Sequence, residues 1–265
     1  MRVEVLCATM NQNDFSKLQE MNISCDVVFA NQAGRTAYDE IEFSEYRARM
    51  ITTNTVGVGR NRNIGLIHAS GDILLFADDD VRYADDLRER VLRAYEEHPE
   101  ADMIIFSMDI TKDGQVIRKV RNKDKRIGLF SALKYGTYTF SARRSSVEKG
   151  NLWFSSMFGG GTKYAYGEDT LFLIDAFRKG LRVYTSSYCL GTCSKEDSTC
   201  FHGYDERYFF DRGVLYACAF GMFAFPFATR YCIKKRSLYR SEISVKAALN
   251  SMRKGINHYR CERNL

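Results

Sequence analysis

The sequence predicts an α/β protein with a doubly wound, mostly parallel sheet, helices on both faces, and a C-terminal helical extension. Apolar runs of strand length alternate with amphipathic helical segments through the first half of the chain, which is the βαβ rhythm of a parallel sheet. The apolar run Ile73–Ala77 is followed by three consecutive acids. In open α/β sheets, ligands bind outside the carboxyl ends of the strands, where these acids would emerge.

Each predicted element has its own sequence signal. The predicted strands are Val3–Ala8, Cys25–Ala30, Met50–Thr53, Ile73–Ala77 and Met103–Met108; the predicted helices are Asp14–Met21, Arg60–Ala69, Asp86–His98 and one that opens at Glu168. The third helix is typical, because Leu87, Val91 and Tyr95 recur every four residues. Pro99 then ends it. Between Thr111 and Lys149 the pattern loosens, and no element is predicted there.

The length and composition predict one domain with an appendage. The chain has 265 residues and 45% hydrophobic content, which is enough to bury a full core. We expect a catalytic domain over residues 1–212 and a helical tail over 213–265. The tail is basic: residues 230–265 contain ten Lys/Arg and two acids, whereas residues 1–229 carry a net charge of −2.

The tail begins with an uncharged aromatic run, Gly213–Thr229. As a helix it would measure roughly 25 Å, short of the ~30 Å hydrocarbon core of a bilayer, so a spanning helix is not expected. Arg230, Lys234, Lys235 and Arg236 follow at once. Aromatic surface beside clustered cations suits docking on an anionic membrane face. A buried helix, packed on the catalytic domain or on a homodimer partner, explains the pattern equally well.

The cysteines indicate a reducing compartment. The chain has eight, but it starts directly in a strand pattern, so we expect free thiols and a cytoplasmic protein, peripheral to the inner face of the cell membrane if the tail docks there. Cys189, Cys193, Cys200 and His202 lack the paired spacing of structural zinc sites, and zinc is not expected.

The acid triplet Asp78-Asp79-Asp80 predicts a metal–phosphate site. Three carboxylates at one strand end repel one another unless a cation joins them. Oxygen ligands favour Mg²⁺ or Mn²⁺, which are commonly shared with substrate phosphates. The alternative is an acidic turn that caps the next helix, for which Asp85 and Asp86 are already available.

Three segments in order resemble the family 2 inverting glycosyltransferases, which carry a nucleotide-sugar domain of the GT-A fold. They are Gly59-Arg60-Asn61-Arg62-Asn63-Ile64-Gly65, then Phe76-Ala77-Asp78-Asp79-Asp80, and then Gly167-Glu168-Asp169-Thr170-Leu171-Phe172. The resemblance covers about residues 1–190. It implies transfer of a sugar, of the hexosyl type, from a nucleoside diphosphate sugar to a hydroxyl of a glycan or lipid-linked acceptor. Such an activity would serve the synthesis of cell-surface polysaccharide.

The resemblance also implies the residues that bind the donor. The aspartate (DXD) motif falls on the acid triplet: Asp78 would approach the nucleoside, with Asp79 beside it, and Asp80 would ligate the metal with Asp78 nearby. Thr9, after the first strand, would line the nucleobase pocket. Arg62 matches the family's arginine before Asn-x-Gly and would hold the nucleotide.

The Glu-Asp pair would supply the chemistry. By the resemblance Asp169 is the catalytic base, with Glu168 beside it. Helix capping is the alternative explanation, since acids in a first turn favour the helix dipole whatever their function. Upstream, the glycines of Met157–Thr162 permit close approach to a sugar, and Trp153 and Phe158 offer faces for stacking.

Two positions depart from the family pattern. Where the family usually has an aspartate after the second strand, this chain has Asn31, whose amide can still bond a nucleobase edge. The family often has a histidine after the catalytic helix that completes the metal site. In this chain His202 lies further along the sequence than the family's histidine, and we expect it to lie on the surface.

Two other classes of function compete with this interpretation. A sugar-phosphate nucleotidyltransferase should carry a glycine-rich loop after the first strand, and Thr9–Asn13 has no glycine. A non-catalytic module would bind nucleotide sugar, or would use its basic tail to engage membrane or nucleic acid. The tail has no recognisable nucleic-acid motif, so no nucleic-acid partner is expected.

Overall fold

The computed structural model describes residues 1–194 and 203–263. Its strands are β1 Val3–Met10, β2 Asp26–Gln32, β3 Ala37–Glu42, β4 Arg47–Thr53, β5 Ile73–Asp78, β6 Val81–Tyr83, β7 Met103–Lys112, β8 Gln115–Arg118, β9 Lys125–Arg126, β10 Phe140–Arg143 and β11 Val183–Ser194. Its helices are α1 Lys17–Glu20, α2 Val58–His68, α3 Leu87–Glu97, α4 Arg144–Gly150, α5 Glu168–Arg178, α6 Glu206–Phe220, α7 Ala224–Lys234, α8 Arg236–Tyr239 and α9 Val245–Arg263. The chain divides into unit 1 (Met1–Ser155 and Asp169–Asp197) and unit 2 (Ser156–Glu168 and Ser198–Leu265).

Unit 1 is built on one mixed sheet with the order β3-β4-β2-β1-β5-β10-β7-β11-β6. Strands β4, β2, β1 and β5 run parallel, as do β7 and β11. Strand β10 lies antiparallel between β5 and β7, and β3 and β6 are antiparallel edges. The predicted GT-A-type α/β fold is confirmed, with antiparallel strands added to its parallel half.

Both faces of the sheet are covered, as the predicted doubly wound fold requires. Val3 and Val5 of β1 are buried on one face, in a core that includes Val91 and Tyr95 of α3. Helix α2 covers the opposite face, where the Gly65 backbone approaches Leu6 closely enough that an added Cβ would lie 3.6 Å from the Leu6 Cβ. Burying each such aliphatic side chain stabilises the fold by about 1.5–3 kcal/mol.

The acid within the first strand is a buried structural group. Glu4 is 1% exposed and forms an ion pair with Arg49 of β4 at 2.6 Å. Its carboxylate also accepts hydrogen bonds from the backbone N–H groups of Ser70 and Gly71 at 2.6 and 2.7 Å. This carboxylate therefore joins β1, β4 and the turn before β5.

Unit 2 is helical in the part of the chain that the structure describes. Helices α6 and α9 cross at two glycines: a Cβ on Gly213 would lie 2.2 Å from the Met252 carbonyl oxygen, and one on Gly255 would lie 2.1 Å from that of Phe210. Pro226 is accommodated because it lies in the first turn of α7, where its missing N–H costs no helical hydrogen bond. The expected domain boundary at residue 213 falls inside α6.

Among residues 1–194 and 203–263, one helical stretch, Glu206–Lys234, is long and apolar enough to cross a membrane by length and composition. In its most apolar window, 44% of the residues are buried inside the structure. Core helices of proteins that do not span membranes meet the same criteria of length and composition.

Candidate nucleotide-sugar site

The ends of β1 and β5 bring three of the predicted donor-binding residues to one edge of the sheet. The two strands are parallel neighbours, and Ala8 pairs with Asp78 in their register. The next residue of each strand therefore emerges at the same level, and the Thr9 hydroxyl donates a hydrogen bond of 2.5 Å to the Asp79 carboxylate. Thr9 is 2% exposed, so this bond fixes the orientation of Asp79.

Arg62 reaches the same edge from α2. Its guanidinium donates a hydrogen bond of 2.6 Å to Asp78 and lies over the Phe154 ring, 5.5 Å from the ring centroid. Phe154 stacks on Phe172 of α5 at 4.1 Å, and both rings contact Phe76 edge-on. The predicted residues Arg62 and Asp78 thus form a pair on an aromatic platform.

The residues that position Arg62, two asparagines and a glycine, were not predicted from the sequence. The Asn63 side chain exchanges two hydrogen bonds with the Phe154 backbone, at 2.8 and 2.9 Å. Asn61 donates to the carbonyls of Thr9 and Ala30, joining α2 to the ends of β1 and β2. Gly59 allows the close approach, because a Cβ there would lie 2.1 Å from the Ser155 carbonyl oxygen. The signal was the regular placement of glycine and asparagine around Arg62.

Asp80 is held differently from its two neighbours. The Cys193 thiol is a weak donor and lies 3.6 Å from the Asp80 carboxylate. The backbone carbonyl of Asp80 accepts a hydrogen bond from the Ser194 N–H. Its side chain reaches solvent, yet nearby protein removes part of its hydration. This partial burial, followed by the charges of Asp78 and Asp79, raises the pKa of Asp80 to about 6.

The negative potential of the triplet extends into the protein. Burial, and then the charges of Asp79 and Asp78, raise the pKa of the Cys7 thiol well above its ordinary value. Burial raises the pKa of Tyr138 to about 12, and the charges of Asp78 and Asp80 add to this shift. A cation bound at this edge would relieve such repulsion.

The carboxylates at this edge could supply part of a metal's coordination shell, with a bound ligand supplying the rest. Among the described residues, no three His, Cys, Asp or Glu side chains are grouped so that they could hold a metal ion. Arg62 contacts one oxygen of Asp78, and Thr9 contacts one of Asp79. Asp80 is the acid best placed to act as a ligand. Mg²⁺ and Mn²⁺ sites often use one or two carboxylates, with substrate phosphates and water completing the shell. Cys200 and His202 lie outside the described residues.

Asn31 does not have the surroundings expected of a nucleobase contact. It is 0% exposed, and its amide exchanges hydrogen bonds of 2.9 and 3.0 Å with the Gln12 backbone and donates to Thr52. These bonds hold the loop after β1 against β4. A base could reach Asn31 only if they broke, so the geometry favours a structural role over the predicted nucleotide contact.

The Glu-Asp pair opens α5 as expected. The Asp169 carboxylate accepts a hydrogen bond of 2.6 Å from the Thr170 N–H, and both acids are half-buried. Phe172, one turn further along, contacts Phe76 at 5.5 Å, two residues before Asp78. This contact anchors the helix that carries Asp169 to the strand that carries the acid triplet. The position of both acids in the first turn of α5 also fits the favourable interaction with the helix dipole.

Comparison with known proteins gives the class. The family model described as "Glycosyl transferase family 2" matches residues 33–152. No curated protein matches the chain. The chain is similar in structure to S. aureus TarS 1-349, with 14% identity and a TM-score of 0.63 over 97% of this chain and 81% of that one. The complex of TarS 1-349 with UDP-GlcNAc matches with 15% identity and a TM-score of 0.62, over 98% and 90%. The complex of TarS 1-349 with UDP matches with 14% identity and a TM-score of 0.61, over 98% of this chain and 89% of that one.

At these low identities the structural similarity establishes the fold alone, which is of the GT-A type. The family match supports glycosyltransferase activity and covers residues 33–152, just under half of the chain. That segment contains Arg62 and the acid triplet. The resemblance to the family 2 glycosyltransferases is therefore confirmed for this segment.

Proposed function

We propose that this protein transfers a sugar from a nucleoside diphosphate sugar to a hydroxyl of a glycan or lipid-linked acceptor, with inversion and with help from a divalent metal. The observation that carries the proposal is the cluster at the carboxyl edge of the sheet. There the adjacent ends of β1 and β5 carry the Thr9–Asp79 hydrogen bond and Asp80, and Arg62 of α2 pairs with Asp78. A cationic side chain beside carboxylates suits a ligand that combines a diphosphate with a hydroxylated sugar.

The donor is proposed to be a uridine nucleotide. TarS 1-349, which shares this fold, was solved with UDP-GlcNAc and with UDP. In this chain Arg62 would bind and orient the nucleotide, while Thr9 and the aromatic platform beneath Arg62 keep the site rigid. Preorganised charges of this kind stabilise a transition state without reorganising during the reaction.

The acceptor step is assigned to Asp169. The acceptor oxygen bonds to the anomeric carbon as the bond from that carbon to the diphosphate breaks. The electron pair leaves with the diphosphate, and Asp169 takes the hydroxyl proton. Direct displacement of this kind inverts the anomeric configuration. Glu168, the adjacent acid, is proposed to support Asp169.

Asp80, with Asp78 nearby, is proposed to hold Mn²⁺ or Mg²⁺. When bound, such an ion stabilises charge on a departing diphosphate as a Lewis acid. The raised pKa of Asp80 indicates that its negative charge is unfavourable without a counter-ion. The protein would supply few ligands and the donor the rest.

Calorimetry against a panel of nucleotide sugars, with and without Mn²⁺, tests the proposal. We expect Mn²⁺-dependent binding of at least one uridine diphosphate sugar to the unmodified chain and its loss in Asp80→Ala. Retained Mn²⁺-dependent affinity in Asp80→Ala would remove this residue from the metal site.

Asp169→Asn separates binding from chemistry. This variant should bind the donor normally and release nucleoside diphosphate at least about 10²-fold more slowly in a mixture of glycan acceptors, because general base catalysis is typically worth 10²–10⁴. Asp175→Asn, which alters a surface ion pair in the same helix, is the matched control. Near-normal turnover by Asp169→Asn would show that the base lies elsewhere.

We further propose that unit 2 docks on an anionic membrane surface, which would place the protein at the inner face of the cell membrane and bring it to a lipid-linked acceptor for polysaccharide synthesis. This proposal is supported by exposed apolar residues, such as Phe223 at 61%, in the same segment of chain as exposed cations at the end of α7. A homodimer interface at the same residues is the competing possibility.

A further inference from the structure

Unit 2 contains a pocket of about 260 Å³ that none of the residues discussed so far explains. One wall is the backbone of the glycine-rich loop, from Gly160 to Lys163, and the other is the start of α6. Small-molecule sites begin at roughly 300 Å³, so this volume suits a single small ring. The pocket lies wholly within unit 2.

The pocket is held open by bonds between its walls. The buried Asp211 carboxylate accepts a hydrogen bond of 3.1 Å from the Ala165 N–H and pairs with Arg207 at 3.0 Å. Arg207 in turn donates to the Lys163 carbonyl at 2.7 Å. The loop conformation needs glycine, since Gly161 has a φ of +76°. These contacts preform the cavity without filling it.

The lining has the chemistry of a carbohydrate site. Tyr166 and Tyr208 both line the pocket, with ring centroids 5.3 Å apart, and aromatic rings stack on the apolar face of a sugar. Asp205 supplies oxygens that accept hydrogen bonds from hydroxyl groups, and Arg207 supplies donors. The two cations and two acids of the lining balance in formal charge, which favours a neutral, hydroxyl-rich ligand over a phosphate.

Tyr166 of this pocket is close in sequence to the proposed base. Tyr166 is three residues before Asp169, and three residues of extended chain span at most about 11 Å. By contrast, Phe158, one of the two residues expected to stack on a sugar, is 2% exposed and packs on Tyr164. The pair that faces a cavity is Tyr166 with Tyr208.

We infer that this pocket binds a neutral sugar unit of the acceptor, with Tyr166 as its stacking residue and Asp205 as a hydroxyl acceptor. The inference rests on the proposed transferase function, because it names a part of the acceptor that the enzyme would recognise. It assigns acceptor recognition to side chains outside the donor site at the edge of the sheet.

Saturation-transfer NMR of the full chain with a panel of methyl glycosides tests the inference. The probes are the methyl α- and β-pyranosides of glucose, galactose and N-acetylglucosamine, each with and without UDP and Mn²⁺. At least one should receive saturation from the unmodified protein. Tyr166→Ala should weaken its binding by about tenfold, as expected for a lost aromatic stacking contact.

Matched variants keep the test specific. Asp205→Asn retains the helix cap that Asp205 forms with the Tyr208 N–H, and should weaken binding because it replaces the carboxylate. Tyr38→Ala removes an exposed tyrosine on β3 and should change nothing. The absence of any glycoside signal, or an equal signal from Tyr166→Ala, overturns the inference.

Asp80→Ala separates the two proposals. It should still bind the glycoside while losing Mn²⁺-dependent UDP binding. Normal UDP binding by the unmodified chain without any glycoside binding refutes this inference alone. Glycoside binding at Tyr166 without UDP binding refutes the donor assignment and leaves a sugar-binding pocket, which would then not be an acceptor site.

Discussion

Single residues at the sheet edge combine structural contacts with the ligand-binding roles proposed for them. Arg62 is 6% exposed and is held by Asp78 on one side and the Phe154 ring on the other. A planar guanidinium can bond a carboxylate and stack on a ring at the same time, which a lysine ammonium cannot do with the same geometry. The side chain is therefore specified as arginine and not merely as a cation.

Arg62→Lys should lower both stability and donor affinity. Loss of a largely buried charged hydrogen bond costs about 1.5–3 kcal/mol, and the displaced cation should weaken UDP binding by about tenfold or more. Urea unfolding and calorimetry with UDP and Mn²⁺ measure the two effects. Arg60→Lys, on an exposed position of the same helix, is the control. Equal UDP affinity in Arg62→Lys and Arg60→Lys would contradict the role given to Arg62.

The same local view explains which site residues sequence could predict. Asp78, Asp79 and Thr9 follow strands whose parallel pairing fixes where they emerge, so their proximity could be expected. The burial of Asn31 could not, because it depends on the Gln12 backbone folding back onto its amide. That contact arises from the shape of a loop, which has no periodic signal.

At the scale of helices and strands, burial decides which elements could be predicted from the sequence. Helices α2 and α3 begin and end within two residues of their predicted bounds, because each follows a buried strand and has a clear stop signal. Strand β3 was missed since five of its six residues are exposed, which removes the apolar alternation. Strand β11 was missed because register shifts between Thr185 and Thr192 interrupt its pattern.

The crossing of α6 and α9 depends on glycine. In an exposed helix, Gly→Ala would gain about 1 kcal/mol of helix propensity. At Gly213, however, the added methyl would lie 2.2 Å from the Met252 carbonyl oxygen, and backbone has to move. We therefore expect a net loss of about 1–3 kcal/mol, as for other overpacked sites.

Thermal and urea unfolding of Gly213→Ala check this expectation. Gly34→Ala is the matched control, because its added methyl would meet nothing within 4 Å. Gly255→Ala should behave like Gly213→Ala, since it closes the same crossing from the other helix. A stabilised Gly213→Ala protein would show that the helices separate at little cost.

For the whole molecule, positive charge is concentrated in the C-terminal part of the chain, where the cationic side chains are exposed. The last 36 residues carry a net charge of +8 and the rest of the chain −2. In unit 2 the cations Arg230, Lys234, Lys235, Arg236 and Arg240 are all exposed. Within the described part of the chain, none of these five forms an ion pair with an acid at 4 Å or less.

Exposed apolar side chains lie in the same stretch of chain. Met222 is 79% exposed, Phe223 61%, Ile233 56% and Leu238 51%. The aromatic run is therefore divided: its α6 half packs against α9, while residues near the start of α7 are exposed. Sequence could not divide the run, because its composition is uniform and the division arises from the glycine crossing.

Co-sedimentation with vesicles tests whether this surface docks on membrane. Each cation near an anionic leaflet contributes about 1 kcal/mol, so the unmodified chain should bind vesicles containing phosphatidylserine and leave those of pure phosphatidylcholine. Phe223→Ser with Met222→Ser should reduce binding, and so should raising the salt concentration, which screens the charges.

The control is Phe130→Ser, which removes a comparably exposed aromatic ring from unit 1 (69% exposed) and should have no effect. If the double variant binds vesicles normally but converts a dimer to a monomer in size-exclusion chromatography, the surface is a dimer interface, and the route to a lipid-linked acceptor must lie elsewhere.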